Sequence, residues 1–204
     1  MSTEQKIRLF IALDLPEVNE QEETIGYADV QLLLKNAFPD FRPTSKVHVT
    51  LVFIGSVVQS TVSVVKEAIA SAVHEFIETE NEGLANGISG LMVEPGAEIL
   101  GKNAVAFKIA DNQMILRLIL YLHTALKQAG IDFDVPSHEQ LAHVTIGRMP
   151  MDTVDEVQLQ RILRQLQAPL GARANAQEAF TAHTITLYQS LPGSNYIPLQ
   201  TYPV

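Results

Sequence analysis

Two short stretches of the chain, HVTLVFIG at 48–55 and HVTIGR at 143–148, each place a histidine and a threonine two positions apart in an otherwise apolar run. Side chains alternate between the two faces of a β-strand. As strands, these stretches would put His48 and Thr50 on one face, with Val49 and Leu51 on the other. His143 and Thr145 would likewise stand opposite Val144 and Ile146. Each strand could bury its aliphatic side chains and present an imidazole with a hydroxyl on a second surface. Two such surfaces meeting across a cleft suit phosphoryl chemistry. One imidazole, neutral, takes a proton from an attacking water or hydroxyl. The other, protonated, gives one to the leaving oxygen. An unperturbed pKa of about 6.5 lets both forms exist near neutrality, and such assistance contributes about 10²–10⁴-fold per group. The threonine hydroxyls can hydrogen-bond the non-bridging phosphate oxygens. Arg148 follows the second motif closely and could neutralise developing charge with a bidentate fork. No metal is required.

A single H-x-T in an apolar strand is usually a satisfied histidine beside a β-favouring threonine. Two copies sharing H-V-T and an aliphatic residue, each in a predicted strand, are what make the catalytic reading competitive. The other four histidines fit less well. His74 and His123 fall within predicted helices, His138 in a polar loop before the second motif, and His183 in a late strand. A two-histidine metal site lacks a third ligand at a recognisable spacing.

The elements that must position these residues follow from periodicity. Residues 7–15 read as a strand stopped at Pro16, which suits the first turn of a helix running to about Ala37. Residues 47–54 form the second strand, ending at Gly55. From Ser60, a candidate cap, Val62, Val65, Ile69, Val73 and Phe76 recur at helical spacing. Strands are expected at 88–93 and 104–109, separated by EPGAEILGKN. A helix over 114–129 stops at Gly130. The second H-V-T strand spans 142–147, and a helix covers 154–166. An alternating strand at 181–188, a turn at SLPGSN and the closing YIPLQTYPV end the chain. The two motif histidines lie close to half the chain length apart. A duplicated α+β unit with mostly antiparallel sheets is the economical reading.

Composition narrows the partners. At 204 residues with 47% apolar content, the chain fits one globular domain, or two small lobes sharing a core. It has no cysteine, so disulfides and thiolate metal sites are excluded. That suits a reducing cytosol. The N-terminus lacks the basic start and cleavage site of a signal peptide, and no apolar run approaches the roughly 18 residues of a membrane span. With 14 basic against 23 acidic residues, and a net charge of −9, the chain is poorly suited to gripping extended duplex through many phosphates. A locally basic cleft for a few phosphates remains compatible with it.

The paired motifs resemble those of the 2H phosphoesterases, which are named for two H-x-T motifs on symmetric lobes. The chain looks most like the bacterial and archaeal RNA 2′,3′-cyclic phosphodiesterases, also called 2′-5′ RNA ligases. RLFIALDLP at 8–16 resembles the opening strand of that family. HVTLVFIG and HVTIGR resemble its two motifs, and HTITLYQSLPGSNYIPL its closing strand, turn and strand. Ala142 and Val52 depart from it, standing where many members have a proline and a basic or polar residue. The resemblance implies an α+β fold over 1–204, a single domain of two intertwined pseudo-symmetric lobes. Each lobe is a small, mostly antiparallel sheet backed by helices, and a central groove lies between them. It implies His48 and His143 as the acid-base pair, Thr50 and Thr145 as phosphate-oxygen ligands, and Arg148 as a further phosphate contact. Phe10 is a candidate for stacking a base, against core packing as its alternative. The expected activity is metal-independent and cofactor-free opening of a 2′,3′-cyclic phosphate, on RNA termini or small cyclic nucleotides, to a 2′-phosphomonoester, with 2′-5′ ligation as a family activity. The alternatives are a 2′,5′-oligonucleotide or other cyclic-phosphate phosphodiesterase, and a non-catalytic RNA-end or nucleotide binder. A cytoplasmic monomer, with no membrane partner, is the expected setting.

Overall fold

The alternation of the two H-V-T stretches is realised in the computed structural model, which describes residues 5–15, 26–80, 87–101, 103–110, 113–134, 142–150, 155–166 and 180–204. The elements in chain order are β1 (Lys6–Asp14), α1 (Tyr27–Ala37), β2 (Arg42–Val58), a 3-10 turn (Gln59–Thr61), α2 (Val62–Thr79), β3 (Ile88–Leu100), β4 (Ala104–Ala110), α3 (Gln113–Gln128), β5 (His143–Arg148), α4 (Glu156–Gln165), β6 (Phe180–Ala182), β7 (Thr184–Leu191) and β8 (Asn195–Pro203). The strands form one eight-stranded sheet in the order β6-β3-β4-β5-β2-β1-β7-β8. Every neighbouring pair is antiparallel.

The fold is α+β, and the two expected half-units are the two halves of this sheet. One comprises β6, β3, β4 and β5; the other comprises β2, β1, β7 and β8. The chain interleaves them, since its first two strands and its last two share a half. The halves join through the pairing of β2 with β5, so the two motif strands are hydrogen-bonded neighbours at the centre of one continuous sheet.

One face of the sheet is the core. Leu9, Ile11 and Leu13 of β1, Val49 and Leu51 of β2, Val105 and Phe107 of β4, and Val144 and Ile146 of β5 are buried there in a single cluster. The predicted apolar faces of α2 and α3 cover them: Val62, Val65, Ile69, Val73 and Phe76 from one helix, Ile115, Leu118, Leu122 and Leu126 from the other. Full burial of each such side chain contributes about 1.5–3 kcal/mol. The opposite face carries a smaller cluster of Phe10, Ala12 and Tyr188, with Tyr196 against it.

The strands outrun their expected bounds. β2 starts before Pro43 and passes through Gly55, which has φ +83°, and β3 continues past Val93 to Leu100. By local sequence, prolines and glycines at these points signal loops. Here they sit at bulges, where an extra residue and a missing donor are tolerated. The register of β1 against β2 shifts on either side of Phe10 and Ile11, and that of β3 against β4 between Val93 and Ala97. Thr61 rather than Ser60 precedes α2, and no side chain caps it. The strand expected at 181–188 is split into β6 and β7 around His183. The beginning of the helix expected from Pro16, and His138, lie outside the described residues. No described helix is long and apolar enough to cross a membrane.

Candidate active site

The antiparallel register of the central strands brings the motifs side by side. His48 is level with Thr145, and Val49 with Val144. Continuing that register by one residue sets Thr50 level with His143. Each histidine is therefore matched with the other motif's threonine, as a local two-fold axis between the strands requires. Val49, Leu51, Val144 and Ile146 are fully buried on the core side, so both histidines and both threonines belong to the opposite face. His143, Thr50 and Thr145 are half-buried there, while His48 keeps only 4% of its surface exposed.

His48 is enclosed by aromatic rings. Phe10 lies 5.0 Å from it between ring centroids, Tyr196 meets it edge-on at 5.2 Å, and Tyr188 is at 6.0 Å. Its Nδ1 is 2.9 Å from the carbonyl oxygen of Lys46. A carbonyl only accepts, so Nδ1 carries the proton and Nε2 keeps its lone pair. Burial pushes the pKa of this imidazole down to about 4. The bond to Lys46 and the negative charge of Asp14 oppose that shift, whereas the charges of His143 and Lys46 add to it. His48 is thus neutral at physiological pH and within electrostatic reach of its counterpart.

The Lys46 carbonyl is available because β2 bulges there. Between Pro43 and His48, β2 advances five residues while β5 advances two. The slack is taken up by side chains. Gln31 of α1 donates to Thr44 O (3.1 Å) and to Ile146 O (2.8 Å), and Thr44 Oγ1 donates to Lys46 O. Ser45 holds the β7–β8 turn, its N and Oγ donating to Ser194 O and its Oγ accepting from Tyr196 N. That clasp keeps Tyr196 against His48.

Asp14 stands level with His48 on the neighbouring strand. Its carboxylate accepts from Tyr188 Oη (2.7 Å) and Thr186 Oγ1 (2.8 Å). Burial and the bond to Asp14 push the Tyr188 hydroxyl well above its usual range, keeping it a donor. The alternation of LFIALD and TITLYQ places Asp14, Thr186 and Tyr188 on the motif face, and that was the signal available for finding them. Lys108, level with His143 on β4, is paired with Glu98 at 3.1 Å.

Arg148 reaches the motif face by a route that strict alternation forbids. On β4, Ala106 is level with Thr145 and Val105 with Gly147, so β5 carries one extra residue between them. Val105 belongs to the core, which puts Gly147 on the core side and turns Arg148 to the other. A Cβ at Gly147 would strike the Phe41 ring and lie 2.7 Å from Arg42 O. Only glycine fits. Arg148 is exposed, with Nη1 donating to Asn103 Oδ1 at 3.0 Å.

Phe10 is 3% exposed, with Tyr188 stacked on it at 5.3 Å and His48 beside it. It forms a wall of the histidine's enclosure, and packing accounts for it where stacking of a base was the candidate role. The exposed ring in this region is its cross-strand neighbour Phe53, at 48% exposure and 6.2 Å from Phe10. Sequence reading passes over Phe53 because simple alternation from His48 puts it on the core side. The bulge beyond Thr50 reverses that. No cluster of three potential metal ligands occurs among the described residues.

No protein-family model matches the chain, and no curated protein matches its sequence. Solved structures do match its fold. E. coli LigT complexed with 3′-AMP superposes with a TM-score of 0.62 at 17% identity, over 98% of this chain and 99% of that one. A structure described as a phosphoesterase gives 0.59 at 18% identity, over 98% and 99%. TT0787 of Thermus thermophilus gives 0.58 at 15% identity, over 97% of each chain. The open antiparallel sheet with helices on one face is the fold of these proteins.

Proposed function

We propose that this chain is a 2H phosphoesterase that opens a 2′,3′-cyclic phosphate, on an RNA end or a small nucleotide, to a 2′-phosphomonoester without a metal. The observation that carries the proposal is the pairing of two H-x-T strands at the sheet centre, with His48 level with Thr145 and the same register leading on to Thr50 and His143. Binding alone does not need two titrating groups so placed. Solved complexes of LigT with 3′-AMP, NADP+, ATP and phosphate support a nucleotide or phosphate as the kind of ligand this fold accepts.

His48 serves as the base. Its Nδ1 proton is committed to Lys46 O, and burial keeps Nε2 unprotonated. Nε2 removes a proton from water as the oxygen bonds to phosphorus. The bond from phosphorus to O3′ breaks, and His143 in its protonated form gives O3′ a proton. Thr50 and Thr145 hold the non-bridging oxygens, and Arg148 is a phosphate-binding residue. Phe53 offers a ring face to the base, since stacking on an exposed aromatic contributes about 1–3 kcal/mol. Joining or cleaving a 2′-5′ linkage would use the same two proton carriers.

The test is turnover of a nucleoside 2′,3′-cyclic phosphate with EDTA present. His48→Ala and His143→Ala should each lower kcat by about 10²–10⁴-fold. The double variant should lose far less than the product of the two, because the pair acts as a unit. Near wild-type turnover in either single variant would make the paired motifs scaffold.

A further inference from the structure

Arg42 and Arg148 are directly level with each other across the β2–β5 ladder. Cross-strand partners share a face, and like charges directly opposite one another are destabilising. The face is that of the histidines, because the bulge at Gly147 turns Arg148 there and Arg42 with it. Both side chains are exposed. Among the described residues neither guanidinium has a carboxylate partner, although the chain carries a net charge of −9. Asn103 holds Arg148 by a neutral hydrogen bond. Two arginines therefore stand level on adjacent strands, with no carboxylate partner among the described residues, an arrangement suited to receive a phosphate.

The pair lies three residues along β5 from Thr145, but the bulge absorbs one of them, so the step matches two residues on β4, Ala106 to Ala104, about 7 Å at strand rise. A nucleic-acid strand spaces its phosphates by about 3.4 Å along the axis when stacked, and by more when extended. We propose that Arg42 and Arg148 bind a second phosphate of the substrate, one or two nucleotides from the reactive one. The protein would then act on the end of an oligonucleotide in preference to a mononucleotide. This rests on the reading of the site given above. It assigns Arg148 to the neighbouring phosphate and introduces Arg42, which the motif spacing does not point to. Lys46, whose charge is felt at His48, supplies a cation near the reactive end of the same path.

The experiment compares a trinucleotide ending in a 2′,3′-cyclic phosphate with the corresponding nucleoside 2′,3′-cyclic phosphate. The trinucleotide should show a KM lower by about tenfold at low salt, where one or two phosphate contacts are strongest. Arg42→Gln should abolish most of that advantage and leave turnover of the mononucleotide unchanged. Arg42→Lys should restore the charge but only part of the preference. Binding of a fluorescent trinucleotide bearing a terminal phosphate, followed by anisotropy, reads the same contact without turnover. Its salt slope should fall by about one unit in Arg42→Gln. Loss of binding in that variant, in a protein that turns over neither substrate, would uphold the subsite while refuting the enzymatic reading. Equal kinetics on both substrates, or an Arg42→Gln variant that treats them as wild type does, would overturn the subsite and leave the reading of the histidines standing. A matched thermal melt separates either result from unfolding.

Discussion

Replacing His48 by phenylalanine should make the protein less sensitive to acid, although it weakens it at neutral pH. In the native state His48 is neutral down to a pKa of about 4. In the unfolded chain it titrates near 6.5. Its folded pKa is therefore depressed, and because it is a base, the unfolded state binds the extra proton between these limits. Stability must fall as pH drops through that window, by about 1.4 kcal/mol per unit. From pH 6.5 to 5 the loss attributable to His48 is about 2 kcal/mol. Phenylalanine keeps a ring among Phe10, Tyr188 and Tyr196 but removes one of the two donors to Lys46 O, leaving that of Thr44 Oγ1, a cost of about 0.5–1.5 kcal/mol at any pH. Urea denaturation of both proteins at pH 7, 6 and 5 provides the comparison, since all other titrating groups are common to them. The variant should be slightly the weaker at pH 7, and the difference should move by about 2 kcal/mol in its favour by pH 5. Parallel stability curves would refute the burial argument, and with it the assignment of a neutral His48 as base.

Asp14→Asn removes the negative charge that favours protonation of His48. The His48 titration followed by NMR, and the acidic limb of kcat/KM, should move to lower pH; an upward shift would show that Asp14 does not act through its charge. Phe53→Ala should raise KM for nucleotide substrates by about tenfold or more, as expected for loss of a stacking platform. It should leave kcat and the melting temperature nearly unchanged, and a fall in kcat alone would place Phe53 elsewhere in the mechanism.

The α+β class, the helical faces and the two motif strands were legible because each depends on local periodicity. The period of two put His48 with Thr50 and His143 with Thr145, and the period of 3.6 put Val65 with Ile69 and Phe76. The faces of Phe53 and Arg148 were not legible. Each lies beyond a bulge, and one inserted residue reverses the face of everything after it. Bulges are fixed by the partner strand, here β1 for Phe53 and β4 for Arg148.

By itself the sequence determined which residues can carry protons and grip phosphate, and that they alternate with residues that must be buried. Only the tertiary structure decided that the two motifs are neighbours on adjacent strands, and that His48 is sunk among aromatic rings. It also set Arg42 across from Arg148. Those are facts of register between strands far apart in the chain, established where the helices seal one face of the sheet. Burial then gave two histidines of the same local sequence unlike surroundings, one enclosed and neutral, the other half-open to the solvent.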